Sequence, residues 1–362
     1  MQAEISLVPA MALAPFATRV VAWQGTHGRS TLPWQNTQDP YRVWLSEVML
    51  QQTQVTTVLG YFARFLARFP TVADLAAGSE DEVLGLWSGL GYYSRARNMH
   101  RCAQEVVARF EGAFPRTAAE LSTLPGIGRS TAAAISAFCF GERVAILDGN
   151  VKRVLTRVLG FAGDMSSAAQ ERVLWDIATD LLPPEGERQA ISRYTQGVMD
   201  LGATVCLPRN PSCMICPVNE DCIALREGAP ERYPVKTRKL KRTSESLWML
   251  MARDEAGRVW LEKRPSQGIW AGLYCPPVFA SREALGSVLT PAQRARLQDE
   301  PAFLHVLTHK DLHLHPVGVA LSAAACPTGD GRWIDHAEWS ALGLPAPVRK
   351  LLVSRHPARD GA

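Results

Sequence analysis

Leu124-Pro-Gly-Ile-Gly-Arg-Ser-Thr131 decides how the first two-thirds of the chain is read. It lies between two helical stretches, Ala118 to Thr123 and Thr131 to Phe138. Gly126 and Gly128 flank one apolar residue, so the backbone can turn sharply and leave N–H groups uncovered at a helix start. Such a nest binds a phosphate without reading sequence. A bare G-x-G between helices is often only a structural turn, and the full string ending in Arg129, Ser130 and Thr131 is more specific.

Outward from that hairpin the first 230 residues read as helical. Val55, Leu59, Phe62, Leu66 and Phe69 recur at helical spacing and stop at Pro70. Val151, Val154, Leu155, Val158 and Leu159 repeat the pattern, with Lys152, Arg153 and Arg157 on the other side. Asp148 stands just before this second helix, where an N-cap Asp is favoured. Glu47 sits among Val48, Met49 and Leu50. A carboxylate in such company costs free energy unless it is used or paired, and its pKa rises toward that of a proton donor near neutral pH.

Cys206, Cys213, Cys216 and Cys222 have the spacing C-x6-C-x2-C-x5-C. Structural zinc usually shows two C-x2-C pairs far apart; only one x2 gap exists here, and the loops suit a larger object. A [4Fe–4S] cluster takes four cysteine ligands. Cys102, Cys139, Cys275 and Cys326 are scattered among apolar neighbours and are expected to behave as small hydrophobes. This distribution favours a metal centre in a reducing, cytoplasmic setting over a disulfide framework.

The bulk numbers narrow the class only slightly. A hydrophobic share of 47% and a charged share of 20% over 362 residues describe a soluble protein of two or three domains. Net charge of +4 suits an anionic partner. No run reaches the roughly 18 apolar residues of a membrane span. The stretch Ile5 to Ala17 is apolar, but the residues before it include Glu4 and no Lys or Arg, so a secretory signal is not expected; Met11 is an alternative start.

Several ordered motifs together resemble the MutY family of adenine DNA glycosylases. They are Leu32-Pro-Trp34, Trp44 to Val55, Gly89-Leu-Gly-Tyr-Tyr-Ser-Arg-Ala-Arg97, the hairpin, Leu147 to Val154, Met199-Asp-Leu-Gly202 and the cysteine cluster. The resemblance implies a [4Fe–4S] cluster and a helix-hairpin-helix glycosylase that flips adenine out of double-stranded DNA holding A:8-oxoguanine or A:G. It assigns Glu47 as the acid that protonates adenine at N7 and Asp148 as the stabiliser of the sugar cation, the two-carboxylate logic of glycoside hydrolysis. It places Gln52 and Tyr92 as wedges, Thr53 and Leu90 near the same base, Gly126, Gly128 and Ser130 at the backbone, and Asn150 beside Asp148 or the flipped nucleotide. Ser130 stands where the related endonuclease III has a Schiff-base lysine, so hydrolysis without strand cleavage is expected. Position 35 is Gln where some relatives have Arg.

Beyond the basic stretch Arg232 to Arg242 the pattern changes. Leu247 to Met251 and Val259 to Leu261 flank Asp254-Glu-Ala-Gly257 and read as a β-hairpin, followed by Trp270 to Tyr274, Phe303 to Val319 and a terminal helix. Lys263 to Cys275 resembles the MutT-like, Nudix-type fold. Glu283 is the only glutamate between Lys263 and Asp299, too few acids for pyrophosphohydrolase metals. The resemblance therefore implies a reader of 8-oxoguanine using Leu307-Thr308-His309, where the family has Phe-Ser-His.

The expected fold class is multidomain, an all-α glycosylase in two helical lobes plus an α+β Nudix-like domain. The expected bounds are 35–142 for a six-helix barrel with the hairpin and 1–34 with 143–228 for the cluster lobe. A basic linker at 229–245 and a MutT-like domain at 246–356 complete the chain. A monomer without membrane attachment is expected.

Overall fold

The computed structural model describes residues 13–355 except 187, 239 and 240. The start of the Ile5–Ala17 stretch, Met11, Lys239 of the basic linker and residue 356 lie outside the described residues. The chain packs as two units, one built up to Val55 and again from Glu105, the other from Thr56–Gln104 and the chain beyond 240.

The first unit is helical. Pro40–Leu50 starts with Asp39 capping the Tyr41 N–H at 2.9 Å and Pro40 at the first helical position. Gly149–Val158 is strongly amphipathic, burying Val151, Val154 and Leu155. They join Phe16 and Val20 of Leu13–His27, Leu174 and Trp175 of Ala168–Asp180, and Val198 and Leu201 of Arg188–Thr204 in one core. That core fixes where Asp148 stands, because the residues on either side of its turn, Leu147 and Val151, are 2% and 1% exposed. The helix after the hairpin, Arg129–Ile135, continues into a π turn at Ser136–Phe140, a feature common near functional sites.

In the second unit, the helices Val72–Ala77 and Glu80–Leu86 each open on a reciprocal cap, Thr71 with Asp74 and Ser79 with Glu82. They share the unit with a mixed sheet of eight strands. These are β1 (Thr243–Arg253), β2 (Val259–Lys263), β3 (Tyr274–Cys275), β4 (Val278–Phe279), β5 (Gln298–Asp299), β6 (Phe303–Val306), β7 (Lys310–Ala320) and β8 (Gly331–Ile334). The order β3-β2-β1-β7-β5 forms the main path, with β1 and β7 parallel from Thr243↔Lys310 to Arg253↔Ala320. The expected hairpin is β1–β2, and the buried Asp254 fixes its turn by accepting from Arg258 N at 2.8 Å and Nε at 2.7 Å. Lys263 Nζ reaches Asp81 at 2.6 Å, Tyr93 Oη donates to Leu344 O at 2.9 Å and Arg349 Nε to Ser88 Oγ at 3.0 Å. Residues 56–104 therefore share a unit with the C-terminal sheet.

Cys102, Cys139 and Cys275 are buried as expected, but Cys326 is exposed. Its apolar sequence neighbours belong to a surface connection between β7 and β8, so they bury nothing around it. Among the described residues, no helix is long and apolar enough to cross a membrane.

Candidate active site and iron–sulfur centre

Glu47 lies in the last part of Pro40–Leu50 and lines a cavity of about 800 Å³ with Ser46, Leu50, Trp34, Gln35, Phe138 and Met199. Burial pushes its carboxyl up to about 8, and the negative charge of Asp148 adds to the push. It is therefore a protonated acid at neutral pH. Asp148 caps Gly149–Val158, its Oδ1 accepting from Val151 N at 2.7 Å. Burial raises Asp148 too, but N–H groups of Val151 and Asn150, then Arg153 and Lys152, pull it back. The cap reading of Asp148 is thus correct, and the same bonds hold its carboxylate beside an acid.

Gln35 contributes to the cavity wall with its Oε1 accepting from Leu32 N at 3.2 Å. Its Nε2 is buried and has no acceptor among the described residues. The wall at residues 29–38 is anchored by Asp200, 0% exposed, which takes Arg29 N at 2.9 Å, Nε at 2.7 Å and Nη2 at 2.6 Å, and Gln196 Nε2 at 2.9 Å. Sequence reasoning missed this clasp; the signal was Asp200 inside the Met199–Gly202 motif. Gly202 of that motif lets two helices meet: an added Cβ would lie 2.7 Å from Asn150 Cβ and 3.0 Å from Asn150 O. The Asn150 side chain accepts from Arg153 Nη2 at 2.8 Å, and its backbone N–H favours the charged form of Asp148.

In the hairpin, Gly126 adopts φ +76°, which demands glycine. Gly128 differs: its backbone is extended and an added Cβ would meet nothing within 4 Å. What Gly128 provides is open space at the turn. Ser130 Oγ accepts from Leu147 N at 3.4 Å, one residue before Asp148.

The four cysteines line one cavity of about 20 Å³. Among the described residues, no three His, Cys, Asp or Glu side chains converge closely enough for a single metal ion. A [4Fe–4S] cluster takes four cysteine thiolates, and four cysteines face one cavity here. A second observation agrees. Arg157 is 2% exposed, with Nη1 3.3 Å from Cys206 Sγ and its other bonds going to Leu207 O at 2.6 Å, Pro208 O at 3.1 Å and Tyr233 O at 3.3 Å. A buried guanidinium whose oxygen partners are all neutral carbonyls wants an anion, and a thiolate-ligated cluster supplies one. Arg153 ties Cys206 O at 2.8 Å and Gly202 O at 2.6 Å to the Asp148 helix, so the cysteine loop braces the turn at Asp148.

Within the second unit Tyr92 has φ +47° and is 44% exposed. Positive φ is costly for a bulky residue and tends to mark functional positions. Arg95 holds that turn, giving Nη2 to Leu90 O at 3.2 Å and Gly91 O at 3.1 Å while stacking on Trp87 and Tyr92. Tyr92 Oη lies 2.6 Å from Thr308 Oγ1. Thr308 and His309 are exposed at the β6–β7 turn, which Leu307 N closes on Lys310 O at 2.8 Å. Leu90 is 6% exposed: positive φ at Gly89 and Gly91 turns the backbone so that the leucine packs inward. Gln52, in the first unit, shares the exposed, positive-φ character at +56°, with Thr53 partly buried beside it.

Comparison with known proteins agrees with this geometry. Residues 45–179 match the HhH-GPD superfamily of base excision DNA repair proteins, 206–222 the iron-sulfur binding domain of endonuclease III and 247–354 the NUDIX domain. A thermostable thymine-DNA glycosylase structure superposes with TM-score 0.52 and 26% identity, covering 60% of this chain and 99% of that one. An endonuclease III–DNA complex, at TM-score 0.51 and 21% identity over 61% and 99% of the two chains, shares the fold. Fold and site define a helix-hairpin-helix DNA glycosylase with a [4Fe–4S] cluster, whose binding domain, residues 206–222, contains Cys206, Cys213, Cys216 and Cys222. The adenine DNA glycosylase of Buchnera aphidicola subsp. Acyrthosiphon pisum is 36% identical over 343 residues, covering 93% of this chain and 96% of its own. The human adenine DNA glycosylase is 32% identical over 404 residues, covering 93% and 73%. The chain belongs to the adenine DNA glycosylase family.

Proposed function

We propose that this enzyme removes adenine paired with 8-oxoguanine, or with guanine, from double-stranded DNA by hydrolysis of the N-glycosidic bond. The observation that carries the reading is Glu47, a carboxylic acid held protonated at neutral pH on a cavity wall beside Asp148, whose charged form is favoured by two backbone N–H groups and two cations against the push of burial. The flipped adenine enters that cavity. Glu47 gives its proton to adenine N7, and the C1′–N9 bond breaks with its electron pair going to the base. Asp148 stabilises the sugar cation, water bonds to C1′, and the proton it sheds restores Glu47. Gln35 Nε2 is a free donor for the base edge. Ser130 cannot form an imine, so the strand stays intact.

Gln52 and Tyr92 fill the gap left by the flipped base, and their strained backbones support that role. Thr308 and His309 read the lesion, with Leu307 replacing the family aromatic. Gly126, Gly128 and Ser130 receive the backbone, and Thr53 lines the same face as Gln52. Within the helical part, residues 35–142 form the barrel lobe, and the N-terminal segment with 143–228 the cluster lobe. Residues 229–245 form the basic linker and 246–356 the recognition domain. The enzyme acts as a monomer in the reducing compartment that holds the DNA.

Release of free adenine from a duplex with one A:8-oxoguanine pair tests this. Native protein should release it and Glu47→Gln should lose about 10²–10⁴ in single-turnover rate. Failure of the native protein refutes the activity, and equal rates refute the role of Glu47.

A further inference from the structure

Arg129 follows the hairpin directly and is exposed, yet its side chain is not loose. Its guanidinium carbon lies 3.9 Å from the ring centroid of Trp175, the shortest such approach among the described residues. Trp175 is 6% exposed and fixed in the core of the first unit, so the platform is rigid. No ion pair or hydrogen bond engages Arg129 among the described residues, although most other arginines of the unit near an acid or carbonyl use it. A guanidinium held over a ring face without an acid or carbonyl partner leaves its N–H donors free, and such a planar fork can meet a phosphate through two bonds. Exposed cation–π contacts are weak in themselves. What this one does is remove rotamer freedom before a ligand arrives.

Its position says which phosphate. Arg129 is bounded by Gly128, where the turn leaves open space, and by Ser130, whose hydroxyl touches the backbone one residue before Asp148. We propose that Arg129, laid on Trp175, is a pre-organised phosphate grip for the DNA strand that enters the site, acting on the backbone beside the extrahelical nucleotide. The proposal rests on the hairpin being the DNA-facing surface. Arg129 touches no reacting atom and is a positioning residue.

The test is fluorescence anisotropy with two duplexes, one undamaged and one carrying A:8-oxoguanine, the latter in a Glu47→Gln background. Salt is varied for the native protein and for Arg129→Gln, Arg129→Lys and Trp175→Phe. Each phosphate contact contributes about 0.9 to the slope of log K against log salt. Arg129→Gln should therefore lower that slope by about 0.9 and weaken binding about 10-fold on both duplexes. Single-turnover adenine release at saturating enzyme should stay at the native rate. Arg129→Lys should keep the slope while losing part of the affinity, because it keeps the charge without the fork. Trp175→Phe should resemble the native protein more closely, since a ring remains. An unchanged slope and affinity in Arg129→Gln overturns the grip, as does a slowed chemical step at saturation. If the native protein bound neither duplex, the underlying reading of the hairpin would fall instead.

Discussion

Replacing Glu47 by glutamine should make the protein inactive and more stable at once, and the second effect should depend on pH. The folded pKa of Glu47 is about 8, against 4.5 for the free group. The folded protein therefore holds this proton more tightly than the unfolded chain does. The group's contribution to stability is complete below about 4.5 and is lost as pH rises through about 8. The full gap corresponds to at most about 5 kcal/mol at 1.36 kcal/mol per pH decade. Water at the mouth of the cavity lowers this, and about 2–3 kcal/mol is expected. Glutamine has the same shape and does not ionise, so its advantage should be near zero at pH 5 and reach that value at pH 8.5. For a unit of this size each kcal/mol moves the melting temperature by about 2–4 °C, so Glu47→Gln should melt about 4–12 °C above native protein at pH 8.5. Scanning calorimetry of both proteins across that range measures it. The native single-turnover rate should fall over the same interval with a midpoint near 8. Melting curves that run parallel from pH 5 to 8.5 would mean that Glu47 ionises like a surface carboxylate. The general-acid assignment would then have no basis.

Gly202→Ala places a Cβ 2.7 Å from Asn150 Cβ; it should cost about 1–3 kcal/mol in unfolding and slow adenine release by shifting the Asp148 turn. Tyr92→Phe removes the 2.6 Å contact with Thr308. Being exposed, that bond is worth about 1 kcal/mol or less, so the excision preference for A:8-oxoguanine over A:G should narrow about 5-fold or less while the A:G rate holds. Cys216→Ser should yield protein lacking visible cluster absorbance and carrying well below about four irons per chain, with a lower melting temperature because Arg157 loses its counter-charge.

The parts of the site written in short spacings are legible in the amino-acid sequence itself. The hairpin, the four cysteines and Asp148 before its helix each fit within a few residues, and local chemistry specifies them. Arg29 and Asp200 are 171 residues apart, and Arg157 and Tyr233 are 76 apart. No periodicity connects such partners, so the clasp on the cavity wall and the buried guanidinium at the cluster emerge only from the fold. Leu90 shows that even short spacing can be silent: Gly89 and Gly91 stand beside it, but that their positive φ directs the leucine inward is visible only in the fold. Arg95, one basic residue among several in the sequence, keeps Tyr92 raised through two carbonyls.

The two carboxylates divide their work because only one of them has donors. Both are buried, and burial alone would make both neutral. Asp148 escapes in part because it begins a helix: Val151 and Asn150 offer N–H groups, and Arg153 and Lys152 follow on the same turn. Glu47 sits near the end of its own helix, where the free backbone groups are carbonyls. Among the described residues it receives no compensating donor, and the charge on Asp148 pushes its proton affinity higher still. When the pair holds one proton, it therefore resides on Glu47. The cap that makes Asp148 look merely structural also pulls its proton affinity down while that of Glu47 stays high, the order that the proposed roles of acid and cation stabiliser require.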